Sequence, residues 1–558
     1  MKNGPRKPVH AARNSNVPGR GRLLAGWFPL LWFLAGGLLL FGRSLVFDYT
    51  YLDDHTLVLQ RMDWLKSAGS IPGAFLEDAF RSAPGKAYYY RPMLTLSFIF
   101  DAMTGRGSLW MFHLTNILLH VASVWLLFRV LETLGFPRVR SFGFAMLFLA
   151  HPLAVQAIAW IPGRNDTLLA VFVLGSFLAW LHYENQRKPR WLILHLALYG
   201  LALFTKESAL VLPVLAAGHA ILFSKTPIKA MLPALAGWIL LAVAWIVARQ
   251  PFIDGARQVP AAELLGAMVY NLPALLPYLG KMLFPVGLGV FPVLRDMTLS
   301  MILGALGLLL LATAAWLARP REWKTWLFGM AWLLLFLLPS LVTIHTASPI
   351  FSEHRAYLPL AGLLMTLASL APAAAGRMPA PWPARAGAAL VATAAILSFL
   401  HLGAFRDRFV FWPEASETSP SNAFNLNNLG AMYYLAGNLQ EAEKWFKRSL
   451  AVNPFEPMAN SNAGLVCMNS ERPAEAEKYF LEEIRINPTY DHAWFNLGLL
   501  YYNYARQEEG IARWEKLLTI NPGYPDVYNA LLFAYEKSGR PDDYRRIKAL
   551  AEQNGIVR

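Results

Sequence analysis

Between residues 23 and 402 the chain keeps returning to apolar runs about as long as a bilayer is thick, and no soluble core can absorb that many. Eleven runs read as membrane spans: 23–41, 109–131, 142–161, 168–181, 191–204, 209–223, 230–247, 299–317, 326–343, 357–374 and 386–402. Hydrophobic residues make up 56% of the 558 and charged residues only 15%, which excludes an ordinary soluble enzyme. A net charge of +14 would suit a nucleic-acid binder. The basic residues mostly flank apolar runs, however, the pattern of loops retained in the cytoplasm. The single cysteine, Cys467, excludes an internal disulfide framework and a cysteine-based zinc site.

Residues 1–22 carry Lys2, Arg6, Lys7, Arg13, Arg20 and Arg22 and no acid, so they read as a basic cytoplasmic tail and 23–41 as an uncleaved signal anchor. Arg138 with Arg140, then Arg187, Lys188 and Arg190, then Lys225 with Lys229, mark cytoplasmic turns. The stretch 264–293 is broken by Pro273, Pro277, Pro285 and Pro292 and is expected not to cross; Arg319, Arg321, Lys324, Arg377 and Arg385 are then cytoplasmic too. By this count the loop 43–107, the turns 163–166 and 206–207, and the C-terminus face outward. Within the loop, 73–80 and 92–103 are expected to lie along the interface as short amphipathic helices.

The loop opens with Asp48-Tyr-Thr-Tyr-Leu-Asp53-Asp54-His55. Two adjacent carboxylates where a membrane helix meets water are costly beside the apolar phase, which makes Asp53 and Asp54 the leading catalytic candidates. A solvated helix end is the bland alternative.

From about residue 425 the composition turns polar and periodic. Pro454, Pro488 and Pro522 recur at intervals of 34, as do Gly430, Gly464 and Gly498, the asparagines Asn428, Asn462 and Asn496, and the aromatics Phe446, Phe480 and Trp514. That period and order is the tetratricopeptide helix-turn-helix repeat, with a partial fourth repeat around Tyr535 and Gly539 as a cap. Such solenoids bind peptides in a groove. The three asparagines, read as helix-initial, are candidates to hold an acceptor backbone there; the alternative is that they satisfy helix ends.

In order, the words Tyr51-Leu-Asp-Asp-His55, Tyr90-Arg-Pro-Met-Leu94, Phe112-His-Leu-Thr-Asn116 with His120, His151-Pro152, Gly163-Arg-Asn-Asp166, Thr205-Lys-Glu-Ser208 and Glu353-His-Arg-Ala-Tyr-Leu-Pro359, followed by the repeats, resemble the transmembrane and tetratricopeptide-repeat O-mannosyltransferases and their bacterial relatives. These stand within the GT-C superfamily of polytopic glycosyltransferases. The resemblance implies an all-α fold: a membrane helix bundle of about eleven spans with a C-terminal repeat solenoid. It also implies an acidic general base from the first outer loop, matched by Asp53 and Asp54 without deciding between them. The implied donor is a polyprenyl-phosphate sugar. Gln156 stands near where the family's His-Pro word leads to an acid, and the His354-Arg355 pair differs from the animal members, which points to a bacterial branch and leaves the sugar open.

Transfer from a sugar monophosphate needs a base for the acceptor hydroxyl, cations for the departing phosphate and a place where water is scarce. Arg355, Lys206, Arg164, His354 and Arg91 are the outer-side candidates for the phosphate, with guanidinium the better geometric match. For Arg91, anchoring its helix at the interface is an equal alternative, and Asp166 is expected to pair with Arg164. His113 and His120 share a helix face seven positions apart and read as packing or hydrogen-bonding residues. No obligatory metal or other cofactor is expected.

The expected organisation is a tail at 1–22, a GT-C-like catalytic domain at 23–404, a linker at 405–424 and an extracytoplasmic repeat domain at 425–558. The chain reads as an inverting glycosyltransferase of the bacterial inner membrane that modifies an extracytoplasmic protein, with the acceptor protein and membrane lipids as partners and no nucleic acid. A related enzyme acting on a lipid or envelope polysaccharide, and a non-catalytic repeat-bearing membrane scaffold, are the competing readings.

Overall fold

The computed structural model describes residues 24–80, 89–224, 226–253, 260–318, 323–342, 351–375, 379 and 381–556. The basic tail, Lys225, Arg319, Arg321 and Arg377 lie outside the described residues. Those described are helical with no β-strand, and they divide into two compact units.

The first unit holds residues 1–288, 300–343 and 353–406. All eleven apolar runs fall on helices. Among the described residues, eight helices are long and apolar enough to cross a membrane, from Phe28–Val46 to Trp382–Phe405. A ninth arises if Arg138–Ala150 and Pro152–Ala159, bent by 53° at the His-Pro word, form one broken span. Proline removes an amide donor and its ring clashes with the preceding turn, which accounts for the break. The run expected at 191–204 is a 15-residue helix, Pro189–Leu203, shorter than a usual crossing.

Helix Leu109–Thr133 is central and packs against Arg164–Gln186, Phe28–Phe41 and Arg138–Ala150. Trp323–Leu341 and Tyr357–Ala375 pack with their backbones close, since a Cβ at Gly329 would sit 2.7 Å from the Gly362 carbonyl. Small residues replace apolar bulk at such crossings, letting backbones touch where lipid offers no hydrophobic drive. The proline-rich stretch is broken at Leu272–Ala274 into two short helices, Ala261–Asn271 and Leu275–Leu283. In the loop at 43–107 the expected 73–80 helix shrinks to Gly73–Leu76, while Pro92–Thr104 forms in full. Tyr49, Leu57, Val58, Leu65, Phe98 and Phe112 give the loop its own apolar core.

The second unit holds residues 289–299, 344–352 and 407–558. Four helix pairs follow one another from Ala423–Leu435 to Pro541–Gln553, so the fourth repeat is complete. The period has a steric cause. A Cβ at Gly430, Gly464 or Gly498 would lie 2.7, 2.7 or 2.4 Å from the ring of Phe446, Phe480 or Trp514, so each glycine lets the second helix's aromatic seat on the first. Arg472, Arg506 and Arg540, also 34 apart, bridge back to Glu443, Glu477 and Glu508 of the preceding repeat at 2.6, 2.9 and 3.1 Å. The stretch expected as a linker contains a helix, Arg408–Thr418, whose Trp412 ring meets Phe424 edge-on at 5.7 Å. Residues 289–299, which fall between membrane helices in sequence, belong to this unit: Asn422 and Asn425 both donate to the Phe291 carbonyl at 3.0 Å, and Ser419 Oγ donates to Asp296 at 2.7 Å.

Candidate active site

The paired aspartates differ in their surroundings. Thr50 donates to Asp54 Oδ2 from its backbone N–H at 2.6 Å and from its hydroxyl at 3.0 Å, and the His55 N–H donates to Oδ1 at 3.0 Å. Asp54 is only 1% exposed, and both its oxygens are occupied: Oδ1 caps the turn that follows and Oδ2 holds the preceding Thr50. Asp53 is half-buried and makes no hydrogen bond or ion pair among the described residues. Burial pushes the Asp53 carboxyl up to about 6, with the Asp54 charge adding and the Arg91 charge opposing. Burial also raises Asp54 to about 6, against the bonds from Thr50 and His55.

The backbone around the pair is shaped to hold it. Tyr51 adopts a left-handed conformation at φ 60°, costly for a residue with a Cβ, and its ring stacks on His55 at 5.0 Å. A π-helical turn, His55–Leu59, follows directly; such turns cluster at functional sites.

A row of charged groups continues from the pair. Arg91 starts helix Pro92–Thr104 and donates to Glu207 at 3.3 Å. Its Nη1 also meets the Asn165 side-chain oxygen at 2.9 Å when that amide is turned to donate to the Thr205 carbonyl. Lys206 Nζ donates to Asp166 Oδ1 at 2.7 Å, and burial holds its ammonium below the usual lysine range. His354 Nε2 lies 4.0 Å from the other oxygen of Asp166, and its ring is 5.7 Å from that of Trp160. Burial pushes His354 down to about 3, with the Asp166 charge opposing and Lys206, Arg355 and Arg91 adding. It is therefore a neutral imidazole, able to offer an N–H rather than a charge. Arg355, half-buried, stands on the same short turn, Glu353–Ala356. Gln156, where an acid was expected, fixes that turn by accepting the His354 N–H at 3.0 Å.

Arg164 does not join this row. It is fully buried and bonds Asn116 Oδ1 at 2.7 Å, the Phe112 carbonyl at 2.7 Å and Ser97 at 3.1 Å, in addition to its ion pair with Asp101. Every face of the guanidinium is spent joining three helices, so its expected partner Asp166 pairs with Lys206 instead. His120 bonds the Tyr357 hydroxyl at 2.6 Å and the Leu149 carbonyl at 3.1 Å, as a packing residue does. His113 is buried beside the Phe47 ring.

In the second unit, Asn428 and Asn496 are the sixth residues of Ala423–Leu435 and Asp491–Asn503, and Asn462 is the fourth of Ala459–Asn469. They are not helix-initial, which removes the end-satisfying role; Asn422 and Asn438 do that work. Asn428 donates to the Phe424 carbonyl at 2.8 Å and Asn462 to Asn427 at 3.0 Å, while Asn496 is half-buried. Glu443, Cys467 and Glu475 are the one potential metal-ligand group among the described residues, but Arg472 donates to both carboxylates.

Sequence reasoning passed over Glu207 as the partner of Arg91 and Asp101 as the partner of Arg164. Nothing local signals them: the pairs are 116 and 63 residues apart and meet only once the helices pack.

Residues 94–248 match the family described as dolichyl-phosphate-mannose-protein mannosyltransferase, and residues 423–455 match the tetratricopeptide repeat. Similar curated proteins include protein O-mannosyl-transferase Tmtc1 of Drosophila melanogaster, 33% identical over 22% of this chain and 14% of that protein. Protein O-mannosyl-transferase TMTC2 of Mus musculus is 29% identical over 35% of this chain and 24% of its own length. The matched stretches thus span about a quarter or less of these relatives. Among solved structures, MamA is similar at 23% identity with a TM-score of 0.24, covering 26% of this chain and 84% of that one. The chain is a multi-pass membrane protein with tetratricopeptide repeats, and over the matched stretches it is similar to the dolichyl-phosphate-mannose-protein mannosyltransferase family and to the TMTC-type protein O-mannosyl-transferases.

Proposed function

We propose that the chain is a membrane glycosyltransferase that moves a sugar from a polyprenyl phosphate to a hydroxyl of an extracytoplasmic protein, with inversion at the anomeric carbon. The observation that carries this reading is the half-buried Asp53 carboxyl, raised to about 6, free of hydrogen bonds among the described residues and close enough to Arg91 to feel its charge. A base tuned near the working pH and left unbonded suits proton abstraction; its neighbour Asp54, bonded at both oxygens, suits holding the turn.

Asp53 takes the acceptor hydroxyl proton as that oxygen bonds to the anomeric carbon. The bond from that carbon to the phosphate oxygen breaks, and the electron pair leaves with the polyprenyl phosphate. Arg91, Lys206 and Arg355 offset the phosphate charge and His354 offers a neutral donor. The lipid-linked sugar is a substrate, and the reading assigns no step to a metal. Residues 23–404 form the catalytic domain, with residues 1–22 cytoplasmic. The repeats at 425–558 lie outside, where Asn428, Asn462 and Asn496 hold the acceptor and raise its local concentration.

The test is transfer by the purified full chain from a panel of polyprenyl-phosphate hexoses to an extracytoplasmic protein fraction. Acceptor-dependent release of polyprenyl phosphate by the wild type, lost in Asp53→Asn, is expected. A rate surviving in Asp53→Asn removes the base from this position; no release from any donor removes the reaction.

A further inference from the structure

The turn that carries His354 and Arg355 is tethered from several sides. Gln156 accepts the His354 N–H at 3.0 Å, and the Tyr357 hydroxyl at the start of the next helix meets His120 at 2.6 Å. A further tether is a charge pair: Lys281 Nζ is ion-paired to Glu353, the first residue of the turn, and both side chains are 1% exposed. Lys281 also donates to the Gly287 carbonyl at 2.6 Å. The backbone around it is pinned in turn, since His151 of the His-Pro word bonds the Met282 carbonyl at 3.0 Å. A buried ion pair is weak as a source of stability because desolvating both charges offsets their attraction. Apolar residues of similar size would fill the space at little cost. What a buried pair does provide is a directional link between two elements far apart in sequence, here the proline-broken helix Leu275–Leu283 and the turn Glu353–Ala356.

We propose that the buried Lys281–Glu353 pair is a positioning device that fixes the Glu353–Ala356 turn so that His354 and Arg355 meet the phosphate of the lipid-linked donor. This rests on the reading of those two residues as donor-phosphate ligands and adds two residues that touch neither substrate. It also gives a use to the proline-broken stretch, of which the sequence suggested only that it does not cross. Lys281 and Glu353 act through the turn, so their loss weakens donor binding and leaves acceptor binding alone.

The full-length chain is compared with the double variant Lys281→Met/Glu353→Leu, which removes both charges together and so leaves neither buried alone. Glu353→Asp, which keeps the pair but shortens its reach by one methylene, is measured beside it. Thermal stability close to wild type is expected in both, with donor KM raised on the order of tenfold to a hundredfold, acceptor KM unchanged and kcat less affected. Wild-type donor KM in a folded variant overturns the positioning role, as does a change confined to acceptor KM or to kcat. A wild-type chain that neither binds polyprenyl phosphate in vesicles nor transfers from it overturns the phosphate reading and this inference with it. Failure of the pair alone shows instead as variants that bind polyprenyl phosphate as the wild type does.

Discussion

Asp53 carries a cost that its amide counterpart would not. Its folded carboxyl holds a proton up to about 6, above the ordinary value of 3.8, so the folded state binds that proton more tightly than the unfolded chain does. The penalty is absent below about 4 and grows as pH rises through 6. Asp53→Asn is therefore expected to melt no lower than wild type at pH 7.5, with the difference closing as the pH is brought down to 4, while transfer falls on the order of a hundredfold or more. Scanning melts across pH read the first part; a variant clearly less stable at pH 7.5 contradicts it. The wild-type rate should rise with pH through about 6, because the base must be ionised, and a rate flat across pH 5 to 7 opposes the role. Arg164 gives the reverse case. Arg164→Met strands Asp101 without its partner in a site that is fully buried, at a cost of roughly 3 to 5 kcal/mol. Lost folded yield is the expected result, and a well-folded, donor-deficient variant would return Arg164 to the phosphate site.

At the scale of elements, the sequence carried more of the fold than of the site. The apolar runs fall on helices, with 142–161 broken at the His-Pro word, because length and composition are local properties, and the 34-residue spacing of glycine and aromatic survived because each pair is one steric fit. Gly464→Val tests that fit: its side chain would enter the space held by the Phe480 ring, 2.7 Å from a Cβ at that position. A loss of about 1 to 3 kcal/mol is expected, read as a lower melting temperature of the repeat transition; no change would mean that the ring moves aside freely. The partners in the site were not legible. Arg164 and Lys206 are both cations at helix ends, and only packing distinguishes the one enclosed by Ser97, Phe112 and Asn116 from the one left facing Asp166. Likewise Asp53 and Asp54 are equivalent as letters. The left-handed Tyr51 and the bonds from Thr50 separate them.

Over the whole molecule, the charge row gathers from five separate stretches of the first unit, around Asp53, Arg91, Asp166, Lys206 and His354, and the repeats form a unit of their own that takes in residues 289–299. The division of labour proposed, chemistry in one unit and acceptor capture in the other, predicts that weakening the groove changes which proteins are modified without removing the reaction. Asn462→Ala with Asn496→Ala is expected to raise the KM for protein acceptors and to leave donor KM unchanged; equal loss with every acceptor, free hydroxyl compounds included, would place the asparagines in folding instead. The most direct measurement is mass spectrometry of extracytoplasmic proteins from cells expressing equal amounts of the wild-type chain or its Asp53→Asn variant. A hexose-type mass increment on hydroxyl-bearing residues, present with the wild type and absent with the variant, is the predicted result. Unmodified proteins in both strains, or an increment that persists in the variant, would contradict it.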